Sequence, residues 1–210
     1  MPQAHASECP KSSPSVSFKD IIHPIEYIRT ESAENLTQWQ TGHSITAKTV
    51  LGVGGGSVGT QLQARYKMVP AGDLFCVIPT EVQAVFYAEP QIHIASNFAR
   101  GSCEYSEVMA HEQKHITVLK KFHREYRNSY RDFFVQAVRG LDAPAAVSID
   151  DVEASKKQTT GAIMAALDSY TQDMMAVLND RQRAIDTKEE YERVLSKCKN
   201  WTKKLPVQKR

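Results

Sequence analysis

His111-Glu112-Gln113-Lys114-His115 is the segment of this chain whose residue types and spacing could do chemistry. Two histidines four apart on a helix share one face, about 6 Å apart along the axis. Imidazoles so placed can hold one tetrahedral zinc ion. The glutamate after the first histidine is then aimed at a metal-bound water rather than at the metal. It can act as general base while the ion acidifies the water and polarises a scissile carbonyl. With seven His in 210 residues, a shuffled chain of this composition gives HExxH roughly once or twice in a hundred trials. The motif alone is informative, and its setting adds to it.

That setting is a helix. From about residue 104 to 138, Tyr105, Val108, Glu112, His115, Leu119, Phe122, Tyr126, Phe133 and Ala137 recur at mostly three- and four-residue steps. His115 falls on this apolar stripe and should point inward. Lys114 lies off it and is expected to face solvent. Two histidines do not hold zinc alone. A histidine six residues after His115 could complete a single-helix site, but that position is Lys121, and His123 is about 12 Å along the axis. The third ligand must come from another element. If a second helix folds back across a turn at 139–150, residues near 172–178 lie level with the motif, which favours Asp173. Asp186 is the alternative if that helix slides or bends, and His93 on a short strand is a third. His5, His23 and His43 read as ordinary polar positions. Without a metal, His111 and His115 would be hydrogen-bonded core residues with Glu112 paired nearby.

The elements around this helix change character near residue 100. Before it the period is two: Leu62, Ala64, Tyr66 and Met68 alternate with polar residues, as do Val82, Ala84, Phe86 and Ala88. Leu74–Ile78 reads as a buried strand. Ile45 with Ala47, and Ile92 with Ile94, suggest others. Gly140 and Pro144 end the first long helix. Ser148 and Asp151 open a second, with a stripe through Val152, Thr159, Ile163, Leu167, Tyr170, Met174, Leu178 and Ile185. Asp186 and Glu189 are candidate caps for a last helix carrying Tyr191, Leu195 and Cys198. The expected fold class is α+β: a small N-terminal antiparallel sheet followed by long antiparallel C-terminal helices. Residues 1–17 read as a flexible, Ser/Pro-rich mature N-terminus, 18–202 as one domain and 203–210 as a basic tail.

Composition narrows the function classes. The net charge is only +2, so no strong field draws the molecule to nucleic acid or membrane. Five Lys and one Arg cluster from Lys197 to Arg210 without an acid, and this reads as a solvated end. The basic, aromatic run Lys120–Arg127 also reads as a solvated face, because Phe122 and Tyr126 lie on the core stripe. No apolar run approaches a membrane span, so no membrane insertion is expected. Oligomeric state has no signature here. Four cysteines without a CxxC pair fit disulfides in an oxidising compartment, with Cys76–Cys103 and Cys9–Cys198 the expected pairs. The polar start, with Ala4-His5-Ala6 fitting a small-x-small cleavage pattern, reads as the beginning of a mature periplasmic or secreted protein. The sequons at Asn35 and Asn200 matter only if the source glycosylates.

Gly54-Gly55-Gly56-Ser57-Val58-Gly59 satisfies GxGxxG, but a strand pattern follows it where a dinucleotide site needs a helix. These glycines read as a flexible hairpin loop. If the chain is a peptidase, the loop and the next strand could flank the cleft and hold an extended peptide.

The string Met109-Ala110-His111-Glu112-Gln113-Lys114-His115-Ile116, followed by Asp180-Arg181-Gln182-Arg183-Ala184-Ile185-Asp186-Thr187, resembles a bacterial family of unknown function. Its members are predicted to be secreted zinc-dependent proteases with a His-Glu-Gln-x-His helix and a later Gln-x-x-Tyr-Asp segment. The likeness covers mainly residues 103–190. Ile185 stands where Tyr is expected, and Glu190-Tyr191 where a His-Gly often follows. The resemblance implies a zincin-like fold, Zn2+ at His111 and His115, Glu112 as catalytic base, Asp186 near the metal, and a peptide or protein substrate. The competing expectation is a non-catalytic exported interaction module with a structural or vestigial metal site.

Overall fold

The computed structural model describes residues 9–41, 49–199 and 201. Ala4-His5-Ala6, His43, the strand expected at Ile45 and Ala47, the sequon at Asn200 and the basic tail 203–210 lie outside them. The described chain is α+β: β1 (Ser15–Ile22), β2 (Glu26–Ile28), α1 (Ala33–Thr41), β3 (Gly52–Ala71), β4 (Leu74–Ile94), α2 (Cys103–Arg139), β5 (Ala146–Val147), a 3-10 turn (Ile149–Asp151), α3 (Val152–Arg183) and α4 (Lys188–Ser196).

β4 is the common partner of the other four strands in a five-stranded sheet. Its buried side alternates as the sequence implies, with Val82, Ala84, Phe86 and Ala88 fully buried. The short runs at 74–78, 82–88 and 92–94 are one strand, because Pro79 and Pro90 each remove a single ladder donor without ending it. The expectation of an antiparallel sheet is corrected. β2 runs parallel to β4, with Tyr27 opposite Ile92, while β5 pairs with β4 in the antiparallel sense. The intervening α1 supplies the crossover length that hairpin-based reasoning did not allow for.

By contact density the chain forms two compact units, with β3, β4, α2 and α3 contributing residues to both. One unit comprises 1–21, 59–87 and 126–174. Phe86 stacks on Tyr130 at 4.4 Å in its interior, and Phe133 stacks on Tyr170 at 4.5 Å between α2 and α3. The N-terminal segment is not free here: Cys9 is buried and bonded to Cys76, and Ser12 donates to the Pro79 carbonyl at 2.8 Å.

The other unit comprises 22–58, 88–125 and 175–210. Leu36, Ile92, Ile94, Phe98, Val108, Ile116, Val194 and Trp201 form its core. Cys103 on the first turn of α2 bonds to Cys198 just past α4. The expected pairs Cys76–Cys103 and Cys9–Cys198 are therefore both wrong. The start of α2 lies beside the end of α4, and Cys9 runs next to the sheet, a tertiary arrangement that spacing alone does not encode. Two disulfides fit a non-reducing environment. Among the described residues no helix is long and apolar enough to cross a membrane.

Candidate metal centre

α2 carries the motif as the periodicity requires. His111, Glu112 and His115 are 6, 4 and 5% exposed, unusual burial for three polar side chains on one helix. Each offers a ligand atom, all within 4.8 Å of one another, so the group could hold a metal ion.

The partner element is the turn between α3 and α4, which carries Asp186. Asp186 Oδ1 lies 3.2 Å from His111 Nε2 and 3.2 Å from His115 Nε2, and the two nitrogens are 3.4 Å apart. Three donors on a tetrahedral zinc, with bonds of about 2.0–2.1 Å, stand about 3.3 Å apart. The triangle therefore has the edge lengths zinc demands. Neutral imidazoles accept at Nε2 only if Nδ1 carries the proton, and both rings have an acceptor there. His115 Nδ1 donates to Gln182 Oε1 at 2.8 Å, and Gln182 Nε2 donates back to the His115 carbonyl at 3.2 Å. His111 Nδ1 donates to Glu190 Oε1 at 3.2 Å. Such outer partners fix tautomer and ring orientation at metal sites. Three acceptors converging on one point repel one another unless a cation or a proton joins them, so the donor set fits a metal.

Asp173, the other acid the sequence suggested, is exposed on α3 and makes none of these contacts. The level of the two helices explains the shift. Residues 140–151 are not a simple turn: Ala146 and Val147 first pair with Cys76 and Phe75. The last turn of α3 brings Gln182 to His115, and the turn after it brings Asp186 to both histidines. Thr187, not Asp186, caps α4 by accepting from the Glu190 N–H, which leaves the Asp186 carboxylate to the imidazoles. His93 is elsewhere in this unit, its ring 5.0 Å from that of Trp39. His23 is exposed.

Glu112 is set differently. Gly52 and Gly54 let β3 press on α2. A Cβ at Gly52 would come within 2.7 Å of Glu112 Oε1, and one at Gly54 within 2.5 Å of the Glu112 carbonyl oxygen. The glycines expected to form a flexible loop are thus part of a strand, and the Gly54 backbone N–H bonds to the Glu112 carboxylate. Thr37 Oγ1 accepts from the Val50 N–H at 2.8 Å, and the Leu51 carbonyl accepts from Ala95, which pins this stretch. Burial pushes Glu112 up to about 7, against the pull of His111 and His115. Burial would lower both imidazoles, but Asp186, Glu112 and, respectively, Glu190 or Gln182 outweigh it and hold them above their ordinary value. Burial opposes ionisation of Asp186, yet its bonds to His111 and His115 keep it well below the usual carboxylate range.

Gln182, Glu190 and Tyr191 enter the sequence reading only as positions of the family likeness, with no role at the site. Tyr191 projects from α4 with its ring 5.8 Å from that of His111 and its hydroxyl bonded to Asp186. The donors open on a cleft of about 590 Å³ whose other walls include Val50, Leu51, Val53, Val108, Val194 and Leu195. No protein-family model, curated protein or solved structure matches the chain.

Proposed function

We propose that the chain is an exported, zincin-like zinc metallopeptidase, periplasmic or secreted. The observation that carries the reading is the donor triangle of His111, His115 and Asp186, with a second carboxylate, Glu112, buried beside it on an open cleft. Zinc held there would acidify a water and polarise a carbonyl. Glu112 takes the proton of the attacking water and later hands it to the leaving nitrogen. A carboxyl held near neutrality can do both. Glu190 and Gln182 keep the imidazoles aimed. Residues 50–54 line the cleft, and an extended peptide would lie along them. The aliphatic wall favours substrates with apolar side chains next to the scissile bond.

One observation favours a second reading. Glu112 lies close enough to the histidines to be a fourth ligand, which would close the site as a structural one. Glu112→Gln separates the two. A peptidase variant keeps its zinc and loses hydrolysis. A structural site loses zinc, and wild type shows no hydrolysis to lose.

A further inference from the structure

Trp39 is 60% exposed on α1, a helix that buries Ala33, Leu36 and Thr37. Its ring meets that of His93 at 5.0 Å. Two carboxylates stand by this pair, each from its own element. On the sheet, Gln91 is two residues before His93 and shares its face of β4. Gln91 Nε2 donates to Glu26 Oε2 at 2.9 Å, across the register in which Glu26 faces Gln91 and Ile28 faces His93. On the helix, Asn35 is one turn before Trp39. Asn35 Nδ2 donates to Glu31 Oε2 at 2.8 Å. Neutral amides thus hold both acids without cancelling their charge. Among the described residues no cation pairs with Glu26 or Glu31. Burial keeps the His93 imidazole below its ordinary value, against the pull of both acids, so the ring adds no positive charge near neutrality. An exposed indole beside two uncompensated carboxylates is the chemistry that takes a cation. The patch also adjoins the cleft. Gln40, the next residue after Trp39, lines it, as do Val50 and Leu51. Thr37 on α1 holds the Val50 N–H, and Ala95, two residues past His93, donates to the Leu51 carbonyl.

We propose that Trp39, Glu26 and Glu31 form an exosite for a Lys or Arg side chain of the substrate peptide. Preferred substrates then carry a basic residue a short way along the chain from the apolar residue held in the cleft. The inference rests on the peptidase reading above. The alkyl stem of the basic residue lies along the indole while its charged head reaches the carboxylates. A wall of aliphatic side chains distinguishes substrates only weakly, and a charged exosite adds a second, chemically different requirement. A free small cation would gain only the exosite contact. A peptide ties the exosite and cleft contacts together, so the second forms at high effective concentration.

The test reads binding without turnover, in a Glu112→Gln background. The probes are the end-blocked decapeptide Lys-Ala-Lys-Ala-Leu-Leu-Ala-Lys-Ala-Lys and its counterpart with Gln at every Lys, titrated by calorimetry. Wild type is given the same two peptides and assayed for hydrolysis. The expected result is that the Lys peptide binds about tenfold tighter than the Gln peptide. Adding Trp39→Ala, or Glu26→Gln together with Glu31→Gln, should abolish that preference. Thermal melts confirm that each variant is folded, and the paired Gln changes keep the side-chain shapes. Equal binding of the two peptides, or none, overturns the inference. So does a Lys preference that survives both sets of changes, because it then belongs to acids elsewhere. In these cases hydrolysis of either peptide by wild type leaves the peptidase reading standing. A preference abolished by the changes, with no hydrolysis of either peptide by wild type, overturns the peptidase reading and the exosite with it, and leaves a binding site for basic peptides.

Discussion

Lys114 Nζ lies 2.6 Å from Glu190 Oε1, the same oxygen that takes the His111 Nδ1 proton at 3.2 Å. The lysine inside the HExxH motif, expected to face solvent, thus steadies the carboxylate behind the first histidine. Arg193 grips that carboxylate from the other side, with Nη2 2.9 Å from Oε1 and Nε 3.0 Å from Oε2. Arg193 and, after it, Lys114 and His111 hold Glu190 well below the ordinary carboxylate range. Outer partners of this kind are worth about 10- to 100-fold in metal affinity. Glu190→Ala should weaken zinc by that amount, and Lys114→Met by less, because Arg193 remains. Competition with a chromogenic chelator measures both. Unchanged affinity in Glu190→Ala would show that the carboxylate does not serve the metal.

Asp186→Asn should cost far more zinc affinity than any outer-partner change, since the amide offers a neutral oxygen in place of a charged ligand. Asp173→Asn, on the exposed part of α3, should bind zinc as wild type does. The same chelator competition ranks the two. Equal behaviour would remove Asp186 from the ligand set.

The metal-free protein should lose stability as pH rises through neutrality. His111 and His115 are held above 6.5 and Glu112 sits at about 7, above its ordinary 4.5. Each binds its proton more tightly folded than unfolded. That stabilisation is full below the ordinary values and is lost as pH climbs through the folded ones. Asp186 has the opposite sign. Its contribution is present above 3.8 and is lost on further acidification. Zinc must displace the histidine protons, so its stabilising increment should grow between about pH 5 and pH 8. Thermal melts of stripped and zinc-loaded protein across that range give the increment directly. An increment independent of pH would contradict the ligand set.

Gly54→Ala should destabilise, because the new methyl would stand 2.5 Å from the Glu112 carbonyl oxygen and 2.9 Å from its Cα, backbone atoms that cannot swing away. Overpacking of this kind costs about 1–3 kcal/mol. Gly161→Ala should have the opposite sign. It lies within α3 with open space around it, and alanine there gains about 0.5–1 kcal/mol of helix preference. Denaturant melts compare the two. Gly54→Ala as stable as wild type would show that β3 does not need its close approach to α2.

What could be read from the sequence follows from local period. A helix expected over about 104–138 spans Cys103–Arg139, and His111, Glu112 and His115 are buried on it as their place on the stripe implies. The third donor was less legible because Asp186 lies in the turn after α3, and its place beside α2 is a tertiary contact that helical period does not specify. Gln182 sits on the last turn of α3 against His115, and Asp186, in the turn that follows, reaches both histidines. Glu190 and Tyr191 stand out in the sequence only as a departure from the family pattern, and their place beside His111 follows from α4, which is held by the Cys103–Cys198 bond and by Val194 and Trp201 in the core. The β2–β4 pairing and the cysteine partners are likewise long-range, beyond what alternation or spacing specifies.

The most direct test of the central claim is the zinc content of wild type and His115→Ala after purification without chelator, measured by elemental analysis with zinc added back. The account predicts close to one zinc per chain in wild type and almost none in the variant, with the variant otherwise folded. Wild type that holds no zinc even after zinc is restored would contradict it, and His111, His115 and Asp186 would then be a hydrogen-bonded core cluster.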